Sequence, residues 1–188
     1  MRKTSAIRKA HPAPSFMGVN MKIIKAVESD IGSMEKIYQD AQAALRANGV
    51  DQWQDVFPNA DTAAQDINAG SSYVLWDNGS IIGTASISIG EEPTYRVIRQ
   101  GAWLSGSSNY AFLHRVAVAS DAKGKGAVSE FFGLAEKLSL ENGVSSLRCD
   151  THMDNLPMQR ALLKYGFTRC GIIDIENGAE RVAFEKLL

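Results

Sequence analysis

Cysteine is nearly missing from the 188-residue chain: only Cys149 and Cys170 occur, far apart and outside any CxxC pair. Such a pair builds neither a disulfide framework nor a cysteine-rich zinc site, and it fits a reducing, cytoplasmic compartment. Long hydrophobic runs are missing too. No stretch approaches the roughly 18 to 20 apolar residues of a membrane span, because Asp, Lys, Arg or Gly interrupts each candidate. Nor is there an excess of one charge, since the formal net charge is −1. Four of the 20 basic side chains, Arg2, Lys3, Arg8 and Lys9, stand in the first twenty residues without an acid, so the remainder carries 16 against 21. A mildly acidic body offers no extended cationic face to a phosphate backbone, which excludes nucleic acid as the main partner and suits a cationic substrate. Low-complexity tracts and internal repeats are also missing. What remains, 45% hydrophobic and 22% charged residues, is the composition of a soluble globular protein of one domain.

Residues 1–20 mix Lys, Arg, Ser and Pro without periodicity and lack the apolar stretch of a secretory signal, so they read as a flexible leader ahead of a domain over 21–188. From Met21 the text MKIIKAV reads as a strand, and Ser29 or Asp30 can cap a helix carrying Ile31, Met34, Ile37, Tyr38, Ala41 and Leu45 on one face up to Asn48-Gly49. A loop with Trp53 and Phe57 leads to a short helix from about Asp61. Ser72–Trp76 and Ile81–Ile89 read as strands joined by Asp77-Asn78-Gly79, residue types that tolerate the positive φ of a tight hairpin. A polar region containing Tyr95 and Trp103 follows, long enough for an embedded strand or an extended arm. Tyr110–Val118 resumes as a strand, SDAKGKG follows as a glycine loop, and Val128, Phe131, Phe132, Ala135 and Leu138 mark one face of a helix. Ser145–Asp150, Phe167–Ile175 and Arg181–Leu188 read as strands, Asn155–Tyr165 as a helix and Asn177-Gly178 as a turn. The order predicts a mixed α/β fold.

A glycine loop opening a helix presents backbone N–H groups without intrahelical partners at the positive end of the helix dipole, so an anion fits there. The P-loop pattern GxxxxGK[ST] does not occur around Lys123–Ser129, and the dinucleotide fingerprint fails because Ser129 occupies its third glycine position. The third scheme is an acyl-CoA pyrophosphate loop. VASDAKGKGAV resembles the strand end, turn and [QR]-x-x-G-x-[GA] loop of the GNAT N-acetyltransferases, with Lys123 at the Gln/Arg position, Gly126 at the first glycine and Val128 where that family has Gly or Ala. DNLPMQRALLKYGF is similar to its N-x-x-A-x-x-x-Y-x-x-x-G-F segment, with Asn155, Gly166 and Phe167 in register. The likeness extends from about Met21 to Leu188 and is specific over Val116–Phe167.

The resemblance implies a mixed, twisted, mostly antiparallel sheet with splayed central strands flanked by helices, the acyl-CoA N-acyltransferase fold. Acetyl-CoA would be the acyl donor: Val116, Ala117 and Val118 would pair with its pantetheine arm. Lys123, Gly124, Lys125, Gly126, Ala127, Val128 and Ser129 would cradle the pyrophosphate, and Asn155 would bond the pantetheine or cysteamine portion. The activity implied is transfer of an acetyl group to a primary amine by direct attack through a tetrahedral intermediate. An ammonium of pKa near 10.4 must first lose a proton, at a cost of about 4 kcal/mol at neutral pH. The family commonly places a Glu four residues before the valine matched by Val118, and His114 stands there. Imidazole is suited to relaying such a proton, and strand alternation puts His114, Val116 and Val118 on one side. The family's frequent acid, a Tyr seven residues after the motif Asn, is replaced by Leu162, with Tyr165 the nearest phenol.

Acceptor specificity falls to the first half, where Gln52, Trp53, Phe57, Tyr73, Tyr95 and Trp103 offer pocket walls or core filling, and GVDQWQ resembles a segment of a bacterial GNAT subgroup. Asp150 and His152 either line the acceptor pocket or cap the following helix. With Asp154 they form too incomplete a set for a metal. The acceptor is a small-molecule amine or a peptide or protein amine, and the family often forms homodimers. A non-catalytic acyl-CoA-binding module and a purely structural domain are the competing readings.

Overall fold

The computed structural model describes residues 21–54, 56–176 and 178–188. The expected leader over 1–20 and Asn177 of the expected turn lie outside the described residues. Along the rest run β1 (Lys22–Lys25), α1 (Ile31–Ala47), α2 (Ala60–Asn68), β2 (Ser72–Asp77) and β3 (Ser80–Gly90). After a long connection come β4 (Tyr110–Val118), α3 (Ala127–Glu141), β5 (Ser146–Thr151), α4 (Leu156–Lys164), β6 (Thr168–Asp174) and β7 (Glu180–Leu187). Local chemistry accounts for the boundaries. Asn78 and Gly79 both take positive φ, 47° and 79°, which makes the β2–β3 connection the tight hairpin its residues predict. Asn59 caps α2 by accepting from the Thr62 N–H at 3.0 Å. Asp30 precedes α1 but turns its carboxylate back to the Val27 N–H at 2.9 Å, and Gly49, at φ 70°, follows the helix end. Among the described residues no helix is long and apolar enough to cross a membrane.

One sheet holds all seven strands in the order β1-β2-β3-β4-β5-β7-β6, antiparallel throughout except between β4 and β5. That parallel contact is short: Ala111, Phe112 and Leu113 pair with Leu147, Arg148 and Cys149, and pairing then stops. Beyond it β4 stays with β3 as far as Val118, and β5 stays with β7 as far as Thr151. The two central strands therefore part like the arms of a V, from His114 and Asp150 onward. The mixed sheet, splay included, is the arrangement the resemblance implies.

Each face is covered differently. Phe131, Phe132 and Ala135 of α3 and Leu162 of α4 pack on Leu75, Ala85, Leu113, Leu147 and Phe184. On the opposite face, Met34, Ile37 and Tyr38 of α1 and Ala63 of α2 cover Val74 and Ala117. The remaining half of that face lies under the β3–β4 connection, whose Tyr95 packs with Tyr110, Ile173 and Ala183.

That connection is an extended arm, as expected from its length, and it is held at two places. Arg99 exchanges backbone hydrogen bonds with Ile172 of β6 at 2.7 and 2.8 Å. The approach is so close that a Cβ on Gly101 would lie 2.0 Å from the Cys170 carbonyl oxygen, which only glycine permits. Further along, Arg148 and Glu185 form a buried ion pair at 3.1 Å, and Ser105 donates to Glu185 through both its N–H, at 3.1 Å, and its hydroxyl, at 2.6 Å. The Arg148 guanidinium is sandwiched by Trp103 and Tyr110, 4.2 and 3.8 Å from their ring centroids.

Candidate active site

The fork of the V gathers three polar side chains. Tyr95 donates its hydroxyl to Asp150 Oδ1 at 2.7 Å, and His114 Nε2 lies 3.4 Å from that hydroxyl and 3.8 Å from the carboxylate. His114 and Asp150 are the first residues past the last β4–β5 pair, so they face each other across the opening. Tyr95 arrives from the arm on a short 3-10 turn, Pro93–Tyr95, whose preceding Glu92 accepts from the Thr94 N–H at 3.3 Å. The Trp103 indole donates to the Tyr95 carbonyl at 2.9 Å, and the rings of Trp103, Tyr110, Phe112 and His114 surround the phenol.

Burial lowers the pKa of His114, and neighbouring Asp150, which acts in the opposite sense, does not outweigh it, so the imidazole is neutral at neutral pH. Burial, reinforced by the Asp150 charge, pushes Tyr95 well above its ordinary value and keeps it an O–H donor.

The bulge in β4 corrects one expectation. Thr84 faces Ala117 while Ser86 faces His114, so β4 carries one extra residue opposite Ala85, and Arg115 takes φ 53° there. The extra residue reverses the alternation. His114 shares the arm's face with Phe112, whereas Val116 and Val118 pack toward α3 on the other face. The Arg115 side chain is tied to Asp66 of α2 by two bonds, of 2.7 and 2.6 Å.

Tyr165 is engaged away from this fork. Its hydroxyl donates to Glu136 of α3 at 3.2 Å, its ring packs on Phe132 and Phe167, and burial pushes its pKa up to about 12. It stands on the α3 face, the one His114 does not share. Leu162, at the position where the resemblance leads one to expect a phenol, is fully buried.

Val116, Ala117 and Val118 have no β5 partner, which leaves backbone groups on their inner side open. The loop that follows ends in Gly124 and Gly126 at φ 78° and 85°, with Gly126 at the N-cap of α3. A Cβ at either glycine would meet nothing within 4 Å, so these residues serve a left-handed backbone and leave the space above it clear. Among the described residues, the N–H groups of Gly124, Gly126, Ala127 and Val128 have no protein acceptor. Such a row of donors at a 15-residue helix suits an anion. Lys123, Lys125 and Ser129 are exposed beside it, and Val128 packs toward the core, away from the loop's open side.

Asn155 is the N-cap of α4, accepting from the Met158 N–H at 3.3 Å, and its amide also donates to Gln52 Oε1 at 3.0 Å. The GVDQWQ segment is thereby docked against the start of α4. His152 Nδ1 accepts from the Asp154 N–H at 3.1 Å, which organises the turn ahead of that helix. Of the expected acceptor-wall residues, Asp150 and Tyr95 join the fork directly, while Trp103 supports it from behind. Trp53 stacks edge-on against Tyr38 at 6.4 Å beside α1, and Tyr73 is buried on the α3 face. Both cysteines are buried, and desolvation raises their thiols. Among the described residues no group of three His, Cys, Asp or Glu side chains is placed to hold a metal.

Sequence reasoning gives two members of the site no role at the fork. Tyr95 is visible only as one aromatic among several, because nothing in the text connects it to a residue 55 positions away. Arg181, near the start of β7, is 7% exposed and lies on the same face as Asp150 and Ala183.

A family model described as the acetyltransferase (GNAT) family matches residues 34–167. Comparison with curated proteins finds no match. Among solved structures, a GNAT-family acetyltransferase from Streptococcus agalactiae is 29% identical, with a TM-score of 0.81 over 91% of this chain and 99% of that one. A GNAT-family acetyltransferase from Listeria monocytogenes, 21% identical, superposes with a TM-score of 0.68 over 91% and 96%. An N-acetyltransferase of Thermoplasma acidophilum in complex with coenzyme A, 15% identical, gives 0.67 over 90% and 99%; these last two likenesses concern the fold alone.

Proposed function

Because the chain belongs to the GNAT acetyltransferase family, whose model spans residues 34–167, we propose that this acyltransferase moves an acetyl group from acetyl-CoA to a primary amine by direct attack, with His114 receiving the proton. The observation that carries the reading is the parting of β4 from β5 at His114 and Asp150, directly ahead of a loop whose amides are turned outward. The unpaired backbone of Val116–Val118 can take the pantetheine arm as an added strand. The amides of Gly124, Gly126, Ala127 and Val128 can take the pyrophosphate, with Lys123 and Lys125 adding longer-range attraction. Asn155 retains a further amide proton for the arm while capping α4.

At the fork, His114 is neutral and can accept the ammonium proton directly or through water. Asp150, 3.8 Å from Nε2, stabilises the imidazolium as it forms. Tyr95 keeps that carboxylate in place by donating its hydroxyl. Amide donors beside the bulge can stabilise the developing oxyanion. A thiol of pKa near 8.5 is a fair leaving group without a dedicated acid, so the lack of a phenol at Leu162 does not prevent turnover.

The test is release of free CoA thiol from acetyl-CoA with a panel of primary amines. Amine-dependent release supports the reading. Acetyl-CoA binding without release from any amine would instead indicate a non-catalytic acyl-CoA-binding module.

A further inference from the structure

On the reading of the fork as an acetyltransferase site, we propose that the acceptor carries a carboxylate as well as its amine, with Arg181 binding that carboxylate, so that the substrate class is an amino acid. Arg181 lies one pair beyond Thr151↔Val182, on the face of β7 that also bears Ala183, which is paired with Asp150. It is therefore a diagonal neighbour of Asp150 across two strands, within reach of the mouth of the V for a long side chain.

Its environment distinguishes it from buried Arg148 and half-buried Arg115. Arg148 has Glu185 and two aromatic faces, and Arg115 has both oxygens of Asp66. Arg181 donates once, from Nη1 to the Glu180 carbonyl at 2.9 Å, and among the described residues it has no carboxylate within 4.0 Å. Asp150 accepts at Oδ1 from Tyr95 and forms no ion pair with Arg181. Asp150 and Asp51 act on it only through their fields, and burial draws its pKa down.

Arg181, 7% exposed as a residue and without an anionic partner, gives up hydration with little in return. Its planar fork is made for a carboxylate held by two parallel bonds. The pyrophosphate of the donor does not fill this role, because its cradle is at the start of α3, on the opposite face of the sheet. Ammonium beside Asp150 and His114 together with carboxylate at Arg181 describes a small zwitterion. Polyamines, aminoglycosides and internal protein lysines do not match that pattern.

The experiment compares the kcat/KM of the wild-type protein for amino acids against their carboxamides, together with spermidine and a peptide with a free N-terminus. The amino acid is expected to exceed its uncharged carboxamide by tenfold or more. With the best amino acid, Arg181→Met should raise KM at least tenfold with a smaller effect on kcat, Arg181→Lys should recover part of the loss, and the thermal shift caused by acetyl-CoA should persist. Equal rates for acid and carboxamide, or an unchanged KM in Arg181→Met, would overturn the proposal. If that variant does not fold, the acid-to-carboxamide ratio of the wild type decides alone. Turnover of amines regardless of a carboxylate refutes the role of Arg181 and leaves the acetyltransferase reading standing. Absence of turnover with every amine refutes both.

Discussion

At His114 two influences oppose each other: burial favours the neutral imidazole and Asp150 favours the imidazolium, and burial prevails. A base held neutral is ready to accept a proton at physiological pH, and the nearby carboxylate reduces the cost of holding it. Replacing His114 with Gln should lower kcat/KM by roughly a hundredfold, within the usual range for loss of a general base, while the acetyl-CoA thermal shift is retained. Unchanged turnover would remove His114 from the mechanism. Because its folded pKa is depressed below 6.5, the acid limb of kcat/KM due to this group should lie under pH 6.5 and vanish in His114→Gln. The linkage has the same sign: below its unfolded value the denatured chain binds the proton more readily, so His114 removes stability as the pH falls.

Elements are held in place by features a few residues long. Helix α3 starts on Gly126 because the chain must turn through φ 85° to present the loop amides. Gly126→Ala should cost about 1 kcal/mol in stability from the left-handed backbone. In steady-state kinetics it should also raise KM for acetyl-CoA more than it changes kcat, and an unaltered KM would remove the loop from donor binding. The arm between β3 and β4 depends on the Arg148–Glu185 pair. Burial raises the Glu185 pKa, but bonds from Ser105 and the charge of Arg148 outweigh it and hold it below its ordinary value. Arg148→Met leaves that carboxylate without its counter-charge, and urea unfolding should show a loss of about 3–5 kcal/mol. A loss under about 1 kcal/mol would mean that Arg99 and the aromatic contacts suffice to hold the arm.

In the whole molecule, the sheet consists of two wings, β1 to β4 and β5-β7-β6, joined through three paired positions on each central strand. A ligand seated in the V contacts both wings and is absent from the unfolded state. Acetyl-CoA at a hundred times its Kd should therefore stabilise the protein by about 2.7 kcal/mol. For a chain of this size that is an increase in Tm of roughly 5–10 °C, measurable by scanning fluorimetry. No shift at saturating acetyl-CoA would argue against the cleft as a donor site.

The sequence by itself determined the succession of strands and helices, because these depend on short-range periodicity, Asn78-Gly79 and the glycines ahead of α3. It also located the glycine loop ahead of α3, whose outward-turned amides lie within seven consecutive residues, Lys123–Ser129. Tertiary structure alone decided which side of β4 bears His114, since one inserted residue at Arg115 reverses a period-two pattern without a mark in the composition. It alone brought Tyr95 to Asp150 and Arg181 to the face that bears Asp150, and it alone sent Tyr165 to Glu136. Those contacts link residues far apart in the chain, and the bond of Tyr95 to Asp150 is buried only after the arm has closed over the sheet.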